Sequence, residues 1–348
     1  MSTVMTGVQL IGHGELDQLD IRNDIPVPAP KADEVLIKVS AAGVNNTDIN
    51  TRIGWYSKGD NDSEDASWDG KALELPRIQG ADVCGHIVAV GSNVDASRIG
   101  ERVLIDPCLR YVDGQKLEHF WYFGSECDGG FAEYTTVDAR QAYSVNSSYT
   151  DTELASFPCS YSTAENMLTR ANVAAGDVVL VTGASGGVGS AAIQLAKARG
   201  AKVIAVTSES KAATLLEIGA DKTVSRGHNL VEALGKNSVN VVIDLVAGPQ
   251  WPELLDVMAP KGRYAVSGAI GGPMVELDVR TLYLKDLSFF GCTGLEDEVF
   301  PNLISRIEAE EIKPLVGKTF ELAEIKQAQI EFVEKNHIGK IVLNVSAK

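Results

Sequence analysis

Residues 178–189 read Val178-Val-Leu-Val-Thr-Gly-Ala-Ser-Gly-Gly-Val-Gly189, and a helical segment, Ser190 to Arg199, follows. A second apolar run, Val203-Ile-Ala-Val206, comes next. Strand, glycine turn, helix and strand in that order form a βαβ unit, the context that gives a glycine motif its meaning. Gly187 and Gly189 lack a Cβ, so backbone can approach a pyrophosphate and the helix can lie close to the strand. The N–H groups of the first helical turn and the helix dipole favour phosphate there. Ala184, Ser185, Gly186, Gly187, Val188 and Gly189 are therefore read as a dinucleotide cradle. Ala184 stands where GxGxxG has its first glycine, which is tolerable only while its φ stays negative.

The end of the second strand bears on the choice of cofactor. NAD sites place an acid there, to bond the ribose 2′-hydroxyl. This chain has Thr207, then Ser208-Glu-Ser-Lys211. Two hydroxyls and a lysine suit a 2′-phosphate, so NADPH is favoured over NADH; Glu209 turned inward would serve NAD instead. The turn also satisfies the TGxxxGxG pattern of short-chain dehydrogenases. That reading requires Tyr-x-x-x-Lys, and none of the nine tyrosines has lysine four residues on.

Further apolar runs, Val241-Val-Ile-Asp244, Arg263-Tyr-Ala-Val266 and Leu287-Ser-Phe-Phe290, alternate with helical segments. This predicts a parallel sheet buried on both faces. Before residue 150 the pattern differs. Short alternating runs such as Val35-Leu-Ile-Lys-Val39 and Gly85-His-Ile-Val-Ala-Val-Gly91, punctuated by Gly, Pro and Asn, predict an irregular antiparallel β domain. After 293, helices are expected over Pro301–Ile312 and Ala323–Asn336. A final strand, Lys340-Ile-Val-Leu343, is expected to pack back on the N-terminal domain. The polar loop Lys58 to Lys71 has a DNDSED core, but Asp65 stands where a calcium loop needs glycine. It reads as a solvated loop.

The chain has 348 residues, enough for about two domains. An apolar fraction of 45% and a charged fraction of 22% exclude a disordered or fibrous chain. A net charge of −16 repels nucleic-acid backbones and anionic membranes, so neither is expected as a partner. Five widely spaced cysteines without a CxxC suit a reducing compartment rather than a disulfide framework. No apolar run approaches the ~20 residues of a membrane span, and no basic-flanked leader opens the chain. The expectation is a soluble cytoplasmic protein.

Gly176 to Lys197 resembles the nucleotide-binding signature of the quinone oxidoreductase/zeta-crystallin group of the medium-chain dehydrogenase/reductase superfamily. Ala41-Ala-Gly-Val-Asn-Asn-Thr-Asp48, Gly80-Ala-Asp-Val-Cys-Gly85, Asp128-Gly-Gly-Phe-Ala-Glu-Tyr134 and Gly339-Lys-Ile-Val-Leu343 fall in the family's order. The resemblance implies an α/β chain with a Rossmann doubly wound parallel sheet over 160–292. It also implies a GroES-like irregular β-barrel catalytic domain, discontinuous over 1–159 and 293–348. A small-molecule substrate and a homodimer are implied with it.

Zinc-dependent relatives hold a catalytic metal with Cys, His and Cys, sometimes with a nearby Glu. By resemblance those places fall at Asn45, at Ala81 with Asp82, and at Cys159. Catalytic zinc takes three protein ligands, and an amide and a methyl group replace two of them, so no zinc is expected. Without a Lewis acid to activate an alcohol, hydride donation from NADPH to a quinone or an α,β-unsaturated carbonyl stays easy. Hydrogen-bond donors would meet the oxyanion. Asn45 is expected to donate its amide to the substrate carbonyl, Thr47 to take the place of a relay hydroxyl, and Tyr56 to lie over the substrate. Asp48 is expected to pair with Arg52. Thr163 resembles a nicotinamide-contacting threonine, and Ser267 lies at the end of a sheet strand. Lys340 falls where relatives place a basic residue near the pyrophosphate. Two rivals stay open: an alcohol dehydrogenase, and a non-catalytic NADPH-binding structural or regulatory protein.

Overall fold

The computed structural model describes residues 3–57 and 72–345. The acidic loop 58–71, with its calcium question, lies outside the described residues. The chain divides into two units, Met1–Cys159 with Val316–Lys348, and Ser160–Leu315.

Six parallel strands form one sheet in the second unit. In spatial order they are Lys222–Ser225, Lys202–Thr207, Val178–Val181, Val239–Asp244, Met258–Val266 and Ser288–Gly291. Val179, Leu180, Val181, Val203, Ala205, Val241, Val242 and Ile243 are all buried, as strands covered on both faces require. Strand Val178–Val181 lies between 202–207 and 239–244, so the winding reverses there. Ligands of doubly wound sheets bind outside the carboxyl ends at that switch point. Strand Lys222–Ser225 escapes the apolar pattern because only Val224 is buried.

Helix Gly187–Ala198 starts three residues before the expected Ser190. The Ser190 N–H already bonds the Gly186 carbonyl at 2.9 Å. The glycines, poor helix formers, make up its first turn. The expected return to the β domain at 293 comes too early. Helix Val299–Glu308 buries Val299, Phe300, Leu303, Ile304 and Ile307. Its Arg306 joins Arg199 on the buried carboxylate of Glu165, at 3.7 and 2.7 Å. That ion cluster fastens the helix to the second unit, and the chain returns to the first at Val316.

Strand Glu34–Val44 is the centre of a seven-stranded sheet in the first unit. It pairs antiparallel with Asp82–Val90, Lys340–Asn344 and Tyr134–Asp138. Arg102–Ile105 and Ala142–Ser144 extend one side, and Val316–Glu321 the other. Val8, Leu10, Val35, Ile37, Val83, Phe131, Ile341 and Leu343 share one core. The last strand of the chain is thus built into the domain that the first strands begin. Helix Asn46–Arg52 starts directly where the central strand stops.

Candidate active site and cofactor turn

Three neighbouring strands carry the candidate site of the first unit. Strand 34–44 runs into Asn45, strand 82–90 begins at Asp82 opposite Gly43, and strand 340–344 begins at Lys340 beside the pair Ile341–Val44. Gly43 makes room for the carboxylate, since a Cβ there would lie 2.5 Å from Asp82 Oδ2. The Lys340 ammonium donates to Asp82 Oδ2 at 2.7 Å and to Asn45 Oδ1 at 2.5 Å. Asn45 Nδ2 donates to the same Asp82 Oδ2 at 2.7 Å. The Cys159 N–H donates to Asp82 Oδ1 at 2.5 Å. Lys340 and Asp82 are 2% and 0% exposed, so water and salt screen the pair little.

Two expectations change here. Asn45 does not offer its amide to a substrate, because a carboxylate and an ammonium hold its two ends. Lys340 does not present its charge to a pyrophosphate. A carboxylate this deep must be paired, and Lys340 is what pairs it.

Asp48 accepts the Asn45 N–H at 2.7 Å. Burial pushes its carboxyl up to about 7, with a smaller push from Asp82, against the pull of the Asn45 N–H and Lys340. The expected pair with Arg52 is not made. Arg52 donates instead to Gln329 Oε1 at 3.0 Å and to the Gly14 carbonyl at 2.6 Å. Asp48, at the start of its helix, bonds backbone in preference to the residue one turn on.

Tyr56 and Thr47 come together as a hydroxyl pair, the Tyr56 hydroxyl donating to Thr47 Oγ1 at 3.2 Å. Burial raises the Tyr56 phenol above its usual range, so it keeps its proton and stays a donor. With its oxygen accepting from Tyr56, Thr47 has its own proton to give. Cys159 is buried, 3.0 Å from the Tyr122 hydroxyl. Burial and then Asp82 push its thiol up to about 12, which leaves it protonated at neutral pH.

This donor set does not suit zinc. A bound metal needs deprotonated ligands. Here the one carboxylate is already neutralised by Lys340, and an amide stands in place of a thiolate. Among the described residues no group of three His, Cys, Asp or Glu could hold a metal ion.

The second unit carries the glycine turn. Gly183 takes a left-handed φ of +56°, and Ala184 keeps a negative φ, the condition on which alanine fits. A Cβ on Gly189 would lie 2.3 Å from the Gly183 carbonyl oxygen, so the helix reaches the strand only because residue 189 has none. Thr207 ends strand 202–207, and its buried hydroxyl has no partner among the described residues. An orphaned buried hydroxyl at this strand end suits a ligand's polar group. Ser208 and Ser210 share a hydroxyl contact at 3.3 Å. Burial, then the neighbouring Arg226 charge, lowers the Lys211 ammonium below its usual range. Arg226 went unread because it follows strand 222–225, which has no apolar run. Its N–H bonds the Thr207 carbonyl at 2.7 Å.

Asp244 also escaped sequence reasoning. It accepts from Thr182 Oγ1 at 2.5 Å, from the Tyr264 hydroxyl at 2.6 Å, and from the N–H groups of Val246 and Ala247. It therefore fixes the carboxyl ends of three strands beside the glycine turn. Ser267 follows strand 258–266, and Thr163 sits half-buried on helix Pro158–Arg170.

The alcohol dehydrogenase GroES-like domain family matches residues 31–147, and the zinc-binding dehydrogenase family matches 187–309. Human quinone oxidoreductase is 30% identical over 354 aligned positions, covering 98% of each chain. An acryloyl-coenzyme A reductase of Metallosphaera sedula is 30% identical, covering 97% of this chain and 99% of the relative. The crystal structure of a putative alcohol dehydrogenase from Sinorhizobium meliloti 1021 superposes with a TM-score of 0.92 at 48% identity, covering 99% and 97%. Likeness that runs the length of both chains leaves one assignment: the protein belongs to the medium-chain dehydrogenase/reductase superfamily, as an oxidoreductase of the quinone oxidoreductase-like group.

Proposed function

We propose that the protein reduces a quinone or an α,β-unsaturated carbonyl with NADPH. The Lys340–Asp82–Asn45 cluster carries this reading. A side-chain cation sealed against its own carboxylate cannot bind and acidify an alcohol as a metal would. Charge that develops on the acceptor oxygen must then be met by hydrogen-bond donors. NADPH, when bound, supplies the hydride.

Thr47 and Tyr56 are the donors we assign. Tyr56 donates to Thr47, and Thr47 turns its own proton toward the acceptor oxygen. Such a pair suffices for an acceptor that is already electron-poor. Of the expected cradle, the N–H groups of Ser185, Gly187, Val188 and Gly189 receive the pyrophosphate, since Ala184 and Gly186 already donate theirs to the Val206 and Gly183 carbonyls. Thr207, Ser208, Lys211 and Arg226 take the 2′-phosphate, and this choice favours NADPH over NADH. Thr163 and Ser267 serve the nicotinamide end. A homodimer and a cytoplasmic setting belong to the same reading, the latter supported by five cysteines that form no disulfide. No helix among the described residues is long and apolar enough to cross a membrane.

Alcohol–aldehyde interconversion is the second reading, favoured by the 48%-identical putative alcohol dehydrogenase. One screen separates the two. NADPH and NADH oxidation is followed over quinones, enones and aldehydes, alcohol-dependent NADP⁺ reduction is run alongside, and metal is quantified on the same sample. Turnover of quinones or enones that survives a chelator is expected. Alcohol oxidation that a chelator abolishes would replace this reading with its rival.

A further inference from the structure

We propose that the Lys340 ammonium is the resident cation of the catalytic unit, and that it keeps divalent metal out of the place where zinc-dependent relatives hold theirs. By the resemblance, Asn45 and Cys159 stand at two of the ligand places of those relatives, and Asp82 follows the third at Ala81. The Lys340 ammonium sits within 2.7 Å of the Asp82 carboxylate and 2.5 Å of the Asn45 carbonyl oxygen. The Cys159 backbone bonds the other oxygen of Asp82. All four residues are buried.

The electrostatics follow from that packing. A divalent ion entering here would meet a positive charge a few ångströms away, with little water to screen it. It would also have to take Asp82 from its partner. The ammonium cannot step aside cheaply, because a charge in this interior stays only where it is paired. The chain thus supplies, in strand 340–344, its own cation for the buried carboxylate. Gly43 keeps the carboxylate in place for either occupant, since any Cβ there would strike Asp82.

This inference goes beyond the proposed reduction, and its readouts are metal content and stability rather than turnover. A wrong acceptor class would therefore leave it standing. The probe is cobalt(II), whose charge-transfer absorption reports a thiolate ligand. The full chain is incubated with excess cobalt and desalted. Bound metal, that absorption and the unfolding temperature are then measured for wild type, Lys340→Arg, Lys340→Met and Lys340→Met/Cys159→Ser.

Wild type and Lys340→Arg should keep no thiolate-bound cobalt and show no shift in unfolding temperature. Lys340→Met should unfold at lower temperature without metal, then gain the absorption and recover part of the loss with cobalt. Adding Cys159→Ser should abolish the absorption. The double variant Asp82→Asn/Lys340→Met lacks both charges. It should be more stable than Lys340→Met and take up no thiolate-bound cobalt. Thiolate-bound cobalt in wild type, or none in a folded Lys340→Met, would overturn the proposal. If Lys340→Met does not fold, the double variant decides: its failure to recover the fold would overturn the pairing itself.

Discussion

The hydroxyl of Thr47 accepts from Tyr56 and keeps one proton, which the proposed function assigns to the acceptor. Because Tyr56 donates into Thr47, the two should act as one unit. Tyr56→Phe and Thr47→Val are each expected to lower kcat by roughly 10- to 100-fold with a smaller change in KM. The double variant should be little worse than either single, as groups acting in series are non-additive; steady-state kinetics on the best acceptor of the screen tests this. A second residue-scale prediction concerns Asp48, whose carboxyl is held up to about 7 by burial. In the unfolded chain it titrates near its ordinary value, so between about pH 4 and 7 the native state binds the extra proton. Its contribution to stability is therefore full at low pH and is lost as pH rises through about 7, by at most roughly 4 kcal/mol. Urea unfolding of wild type from pH 5 to 8 should show this fall, and Asp48→Asn should remove that component. Of these residues, sequence reading named Thr47 and Tyr56 separately, and their hydroxyl contact shows only in the structure. It also found Asn45 but gave it the wrong partner, because Lys340, which claims its carbonyl, lies 295 positions away. No local pattern records a contact of that range.

At the scale of an element, the glycine turn was legible because each of its constraints is local. A strand must end, the chain must turn left-handed at Gly183, and a helix must start close enough to touch the strand. Gly189→Ala tests the last constraint. Its Cβ would sit 2.3 Å from the Gly183 carbonyl oxygen, with backbone rather than a pliant side chain to move. The helix must back away, which would move its first-turn N–H groups from the phosphates the proposed function assigns to them. NADPH affinity should fall at least about tenfold, or about 1.4 kcal/mol, with the fold retained; fluorescence titration with NADPH and circular dichroism measure the two. Arg226 marks where legibility stopped. It comes off a strand in which only Val224 is buried, so no apolar run announces it. If Arg226 reads the 2′-phosphate, Arg226→Ala should raise KM for NADPH about tenfold and leave KM for NADH unchanged, since a charge-assisted bond to phosphate is lost in one cofactor only. Equal effects on both cofactors would remove Arg226 from the site.

At the scale of the whole molecule, the alternation of strands and helices announced a parallel sheet, and the short alternating runs announced the β unit. The point of return did not show. Helix Val299–Glu308 reads as amphipathic whichever unit it covers, and only the ion cluster on Glu165 says which. The same sheet bears on assembly. Strand Ser288–Gly291 ends the order of six, and its outer edge pairs with no strand among the described residues. An unpaired edge is a template for another chain unless it is covered. Around it the segment 270–284 exposes Ile270, Met274, Val279, Tyr283 and Leu284, with Met274 86% and Leu284 72% open to solvent. So much apolar surface on a chain of charge −16 is costly unless a partner hides it. A second copy fits by symmetry, since two such edges can pair antiparallel about a two-fold axis and extend the sheet without leaving a new edge. Wild type should therefore sediment as a dimer at micromolar concentration, and Leu284→Glu should shift it toward monomer while its unfolding temperature stays within a few degrees. A wild-type monomer would end the homodimer reading. A dimer indifferent to Leu284→Glu would move the interface to another face of the protein.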